Sequence, residues 1–214
     1  MRTLITCLFT LNPPNNPYHS QGKQRKQEFL DGFEALKEVC ETLPNDEFSV
    51  LLIENTVKDK DEIPPEILSL WKDDWFFIPT ESNVFGSKNK GAGIVENYLL
   101  LKNSGLLQDY DYIIHFEPRL TLKDDTFFKK FREHPDNIFS LANKNQFFTG
   151  LFSMKTDDFC EYLSEENLQP MVDYKVSIED HLFHFIKTKN KSLKVVDKVS
   201  CFWHDSFANV TREV

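Results

Sequence analysis

The chain has 214 residues and a formal net charge of −9, from 34 acidic and 25 basic side chains, with 40% hydrophobic residues. That length suits one full α/β domain. The acidic balance argues against a nucleic-acid coat or a polybasic membrane tether, while leaving room for a local basic cleft that holds phosphate.

Residues 3–11 (TLITCLFTL) read as a first buried strand rather than a signal peptide, because threonines interrupt the apolar run and no small-x-small cleavage pattern follows. The Asn12-Pro13-Pro14-Asn15-Asn16-Pro17 segment can continue neither helix nor strand. Residues 22–42 carry Phe29, Phe33, Leu36, Val39 and Cys40 at helical spacing. FSVLLIEN (48–55) is a second strand, apolar almost throughout, as a sheet covered on both faces requires. A short helix starts at Pro64-Pro65, and WFFIP (75–79) is a third strand.

A glycine-containing turn (residues 84–93) runs into a helix that ends near Gly105, and DYDYIIHFEPRLTLKDD (109–125) supplies strand four. DDTFFKKFREH then reads as an amphipathic helix, followed by two strands around Asn143-Lys144-Asn145, a helix near 155–164, a helix from Ser177, and a last strand over 193–202. Strand and helix alternate in the first half, which predicts one α/β domain: a mostly parallel central sheet flanked by helices, with a small mixed edge. No stretch has the length of a membrane-spanning helix. The four cysteines (Cys7, Cys40, Cys160, Cys201) form no CxxC pair, so free thiols and a cytoplasmic location are expected.

Four stretches carry chemistry. GSKNKGAG (86–93) begins like a phosphate loop but lacks the Lys-Ser/Thr after Gly91, and it is not G-x-G-x-x-G either. It is either a solvated helix cap or a turn whose amides and lysines, Lys88 and Lys90, hold a diphosphate. His115-Phe116-Glu117-Pro118-Arg119 ends strand four, where ligands of parallel sheets gather. Glu117 could ligate a hard cation and Arg119 could not, but a guanidinium can neutralise a diphosphate directly; a plain Glu–Arg ion pair is the alternative. Ser177-Ile178-Glu179-Asp180 fits a capping box, and a carboxylate there that faces a cleft could also be a general base. His181 and His184 read as packing or surface residues, and His204 in CFWHD could be a core residue, a phosphate donor or a metal ligand.

In order and spacing these pieces resemble a glycosyltransferase of the GT-A fold, of the kind that builds bacterial or viral surface polysaccharides. The resemblance covers roughly residues 1–205. It implies a GT-A-like (Rossmann-like) fold in a single domain over 1–214, with 1–117 as the nucleotide-sugar half and 118–214 as the acceptor-side half. It places Thr10, Leu11, Asn12 and Glu54 at the nucleotide, and Lys88, Lys90, Gly91, His115, Glu117 and Arg119 along the donor. Thr149 and Gly150 fall on the acceptor side, and Asp180, or else Glu179, becomes the base of an inverting transfer. The family's two metal-binding aspartates fall on Glu117 and Arg119. The expectation is therefore no obligatory metal, with Mn²⁺ or Mg²⁺ possible through Glu117 and His204. The implied partners are a nucleotide-sugar donor and a glycan, lipid-linked or protein acceptor, without nucleic acid. Two other classes compete: a non-catalytic transferase-like binding module, and a sugar-nucleotide pyrophosphorylase, which would release pyrophosphate and typically needs a glycine-rich basic loop after strand one.

Overall fold

Every residue of β1 (Thr3–Phe9) is buried, which places this strand inside a sheet covered on both faces. The computed structural model describes residues 1–12, 22–44, 46–205 and 210–214. After β1 come α1 (Gly22–Thr42), β2 (Phe48–Glu54), α2 (Pro65–Leu68), β3 (Phe76–Pro79), α3 (Lys90–Asn103), β4 (Tyr112–Phe116), β5 (Leu120–Leu122) and α4 (Thr126–Glu133). The second half adds β6 (Ile138–Asn143), β7 (Gln146–Lys155), α5 (Thr156–Tyr162), α6 (Glu165–Asp173), α7 (Ile178–Thr188), β8 (Lys194–Val196), β9 (Cys201–Asp205) and β10 (Val210–Glu213).

The main sheet has the order β3-β2-β1-β4-β7-β6-β8. The first four strands are parallel, β7 is antiparallel to both β4 and β6, and β8 is parallel to β6. This is the expected mostly parallel sheet with a mixed edge. Alternating side chains of β1 feed two cores. Ile5, Cys7 and Phe9 pack with Phe29, Phe33 and Leu36 of α1 and with Phe127, Phe128 and Phe131 of α4. Leu4 and Leu8 face the other way, toward Val95 and Tyr98 of α3 and toward the helices α5 to α7. Thus α1 covers one face and α3 the other, and the order of the parallel strands reverses between β1 and β4. That reversal opens a crevice beyond the carboxyl ends of β1, β2 and β4.

Several expectations need correction. Strand one ends at Phe9, because the amide of Leu11 turns to bond the Glu54 carboxylate rather than a neighbouring strand. The 109–125 stretch is not one strand: after β4 the chain turns at Glu117–Arg119, and β5 joins a separate antiparallel sheet, β10-β9-β5. The last predicted strand is likewise two, with β8 on the main sheet and β9 on the small one; the break includes Ser200 at φ +56. Helix α6 escaped the sequence reading because Pro170 lies inside it. Among the described residues no helix is long and apolar enough to cross a membrane.

Candidate functional site

The crevice encloses about 630 Å³, part of it open to solvent, and is lined by Thr10, Arg25, Asn55, Lys90, His115 and Arg119 among others. It starts at β1, whose end is tied down by a carboxylate. Glu54, last residue of β2, is fully buried. It accepts bonds from the amides of Leu11 (2.7 Å), Thr56 (2.6 Å) and Val57 (2.5 Å), and from the Thr56 hydroxyl (2.5 Å). Thr10 donates to Asn55 Oδ1 at 2.8 Å, and the Asn12 amide donates to Thr56 Oγ1 at 3.1 Å. Glu54 therefore shapes the pocket wall from inside. Its carboxylate is already bonded to four protein donors, so the expected direct contact with a ligand is not the role its position gives it. Thr10 lines the crevice, whereas the amides of Leu11 and Asn12 are spent on this anchoring.

The opposite wall is the start of α3. Asn89 caps the helix by accepting from the Ala92 amide, while its own amide group donates to the carbonyls of Met171 and Val176. Glu96 accepts bonds from Ser82, Val84 and Phe85, and Asn97 bonds Ser82 and Thr80, so the loop before α3 is pinned to that helix. Gly86 and Gly93 meet in the crevice so closely that a Cβ on Gly93 would lie 2.5 Å from the Gly86 Cα. Gly91 has a different task. A Cβ there would meet Ile178 at 2.8 Å, so its missing side chain lets α3 pack on the first turn of α7. Lys88 lies exposed over the Phe85 ring (5.8 Å) and does not line the crevice; Lys90 does.

At the base sits the turn after β4. Glu117 Oε1 accepts from Arg119 Nη2 (2.5 Å) and Nε (3.0 Å), and from Lys90 Nζ (2.9 Å). Burial works to raise the Glu117 carboxyl, but Lys90 and Arg119 outweigh it and hold the group well below the usual carboxylate range. Arg119 also reaches Glu28 of α1 at 3.8 Å. His115 is buried, stacked on Phe152 (ring centroids 5.1 Å), and its Nδ1 shares a 2.6 Å bond with the Tyr98 hydroxyl. Burial pushes its imidazole down to about 4, so it is neutral at physiological pH. It belongs to a Thr6–Tyr98–His115 chain that fixes the floor of the crevice.

A hard divalent cation needs several oxygen ligands. Among the described residues, no three His, Cys, Asp or Glu side chains converge to hold one. The Glu117 carboxylate is already bridged by Lys90 and Arg119. The described side chains therefore do not by themselves complete a site for Mn²⁺ or Mg²⁺. The backbone of His204 pairs with Thr211 in the small sheet, and its side chain lies outside the described residues.

The acceptor-side residues converge as well. The Gly150 carbonyl accepts the Glu117 amide at 2.8 Å, and the neighbouring Thr149 hydroxyl donates to Glu179 Oε1 at 3.0 Å. Because Gly91 abuts Ile178, the start of α7 is brought beside Lys90. Of the two acids there, Asp180 is engaged in capping: its Oδ2 accepts from Ser177 (2.8 Å) and Gln146 (2.8 Å), and its amide bonds Ser177 Oγ. Glu179 is bonded instead to Thr149 of β7. His184 bonds the Asp180 carbonyl, as a helix-surface residue does.

Arg25 was missed. It lies four residues before Phe29 on the apolar stripe of α1, and a charge on a buried stripe is the signal that could have found it.

No protein-family model matches the sequence, and no curated protein sequence matches it. Many solved structures are similar in fold, two transferases among them. One, from Desulfovibrio desulfuricans G20, is described as a nucleotide-diphospho-sugar transferase; it has 9% identity, a TM-score of 0.60, and the match covers 92% of this chain and 80% of that one. The other is a glycosyltransferase involved in glycosylation of the major capsid of PBCV-1, with 8% identity, a TM-score of 0.53 and coverage of 92% and 82%. At such identities the likeness is one of fold.

Proposed function

We propose that the protein is a glycosyltransferase that moves a sugar from a nucleotide-sugar donor to an acceptor hydroxyl in glycan or polysaccharide synthesis, with inversion. The single observation that carries this reading is a crevice at the strand-order reversal with Lys90 and Arg119 at its base, in a fold shared with a nucleotide-diphospho-sugar transferase and a glycosyltransferase. The donor diphosphate lies against Arg119 and Lys90, and no protein-held metal is obligatory. Negative charge grows on the diphosphate as the sugar–oxygen bond breaks, so fixed cations beside it stabilise the transition state more than the ground state. Glu179 takes the acceptor proton while the acceptor oxygen bonds the anomeric carbon, and the nucleoside diphosphate leaves with the bonding pair.

The test is a thermal-shift screen against UDP, GDP, CMP and dTDP sugars, each with Mn²⁺ and with EDTA. A rise in melting temperature with one donor in EDTA, followed by sugar transfer, supports the reading. A rise only with Mn²⁺ overturns the metal-free part. One observation favours a second reading, a non-catalytic binding module: Glu117 occupies both cations at the place where the resemblance implies a metal-binding acid pair. That reading predicts binding without turnover.

A further inference from the structure

Arg25 is 6% exposed, yet the structure gives it little to hold. Its Nε donates to the Thr10 carbonyl at 2.8 Å and its guanidinium lies over the Phe29 ring at 5.3 Å. Its Nη1 is buried and has no hydrogen-bond partner among the described residues. Buried donors are almost always paired, and an unpaired charged one is costlier still, so this nitrogen needs an explanation. The carboxylates near it also hold other partners: Glu54 holds three backbone amides and a hydroxyl, Glu117 holds Lys90 and Arg119, and Glu28 holds Gln24 and Arg119. Arg25 also lines the crevice, on the wall that carries Thr10 and on the same side of the molecule as Arg119. Burial, and next to it the like charge of Arg119, push its guanidinium down to about 10 against the opposing pull of Glu117, Glu28 and Glu54.

We propose that Arg25 is an anion-binding residue of the crevice, whose unpaired Nη1 donates to a phosphate group of the bound ligand. The identity of that phosphate as part of a donor diphosphate rests on the function proposed above; the anion site itself does not. Arg25 differs from Lys90 and Arg119 in a way that matters for binding. Those two must give up Glu117 before they serve a ligand fully, whereas Arg25 has a donor waiting. It therefore supplies the first charge-assisted hydrogen bond to an arriving phosphate. The Thr10 carbonyl and the Phe29 ring fix its orientation, so little side-chain entropy is lost on binding.

The experiment is calorimetric titration of inorganic pyrophosphate in EDTA into the full chain and into Arg25→Gln, with melting curves of both without ligand. Loss of one charge-assisted hydrogen bond lowers pyrophosphate affinity roughly ten- to a hundredfold. The ligand-free melting temperature of R25Q should hold or rise, because an uncompensated buried charge has been removed while an amide donor remains for Thr10. A merely structural arginine would show the reverse, a lower melting temperature and unchanged affinity, and that result overturns the proposal. So does a wild-type chain that binds no pyrophosphate. Should R25Q fail to fold, Arg25→Lys carries the test, since lysine keeps the charge but not the planar fork: several-fold weaker binding supports the proposal, and wild-type affinity overturns it. Donor binding in the nucleotide-sugar screen that R25Q leaves intact would remove Arg25 and keep the transferase reading. Arg25-dependent pyrophosphate binding with no donor shift would do the opposite.

Discussion

On the proposed function, Glu117 holds the place of a ligand anion, so replacing it with glutamine should separate stability from binding. In the free protein its carboxylate neutralises Arg119 and Lys90. Removing one member of a fully buried ion pair costs roughly 3–5 kcal/mol. Here the side chains of Glu117 and Arg119 keep 21% and 17% of their surface in solvent. Water therefore screens part of the loss, and the expected cost of Glu117→Gln is about 2 kcal/mol. For a domain of this size that lowers the melting temperature by roughly 4–8 °C. Anion binding should move the other way. With the competing carboxylate gone, pyrophosphate affinity in EDTA should rise about tenfold, equivalent to one hydrogen bond to a charged group. Melting curves and calorimetric titration on the same preparation read both effects. Unchanged or weaker pyrophosphate binding would refute the reasoning, because it would mean that Glu117 does not compete with a ligand for these cations. A loss of binding seen only when Mn²⁺ is present would instead make Glu117 a metal ligand.

Three further outcomes follow from the geometry. Burial holds His115 at about 4, whereas an unfolded histidine titrates near 6.5. The unfolded chain therefore binds a proton in that window that the native state refuses. Stability should be full above pH 6.5 and fall as pH drops toward 4, by about 3 kcal/mol from this group. Denaturant unfolding between pH 4 and 7 checks it, and His115→Gln should reduce the slope, leaving the parts from His181, which burial shifts the same way, and from carboxyls held low such as Glu117. Gly91→Ala should destabilise by about 1–3 kcal/mol, since its Cβ would press on the Ile178 side chain and backbone, and should weaken donor binding as the start of α7 shifts; melting curves and the donor screen read both. Glu179→Gln should lower turnover about a hundredfold or more with donor binding unchanged. Asp180→Asn should mainly weaken the helix cap, by about 1 kcal/mol, with a small effect on turnover. Equal turnover losses from the two variants would sink the assignment of the base.

Much of the site was legible because charge stood where apolar sequence ended. The run Tyr112-Ile113-Ile114 could only be an interior strand, and His115, Glu117 and Arg119 at its end do meet the crevice. Lys90 was legible for the same kind of reason, at the start of a helix with an Asn cap. That Lys88 lies outside the crevice was not legible, because sequence spacing cannot say which of two lysines in a turn points inward. The bonds of Glu54 were not legible because its partners, Leu11 and Val57, are on strand-end loops whose approach is a matter of packing.

The sequence by itself determined the alternation of buried strands and amphipathic helices, and hence a parallel sheet covered on both faces. These follow from local hydrophobic period, which acts over a few residues. Only the tertiary structure decided that β5 and β9 leave the main sheet, that Glu179 bonds Thr149 while Asp180 caps its own helix, and that Arg25 is buried with a nitrogen that has no hydrogen-bond partner among the described residues. Each depends on contacts between residues tens of positions apart, set by how α1, α3 and α7 pack against the sheet. No local pattern records those contacts.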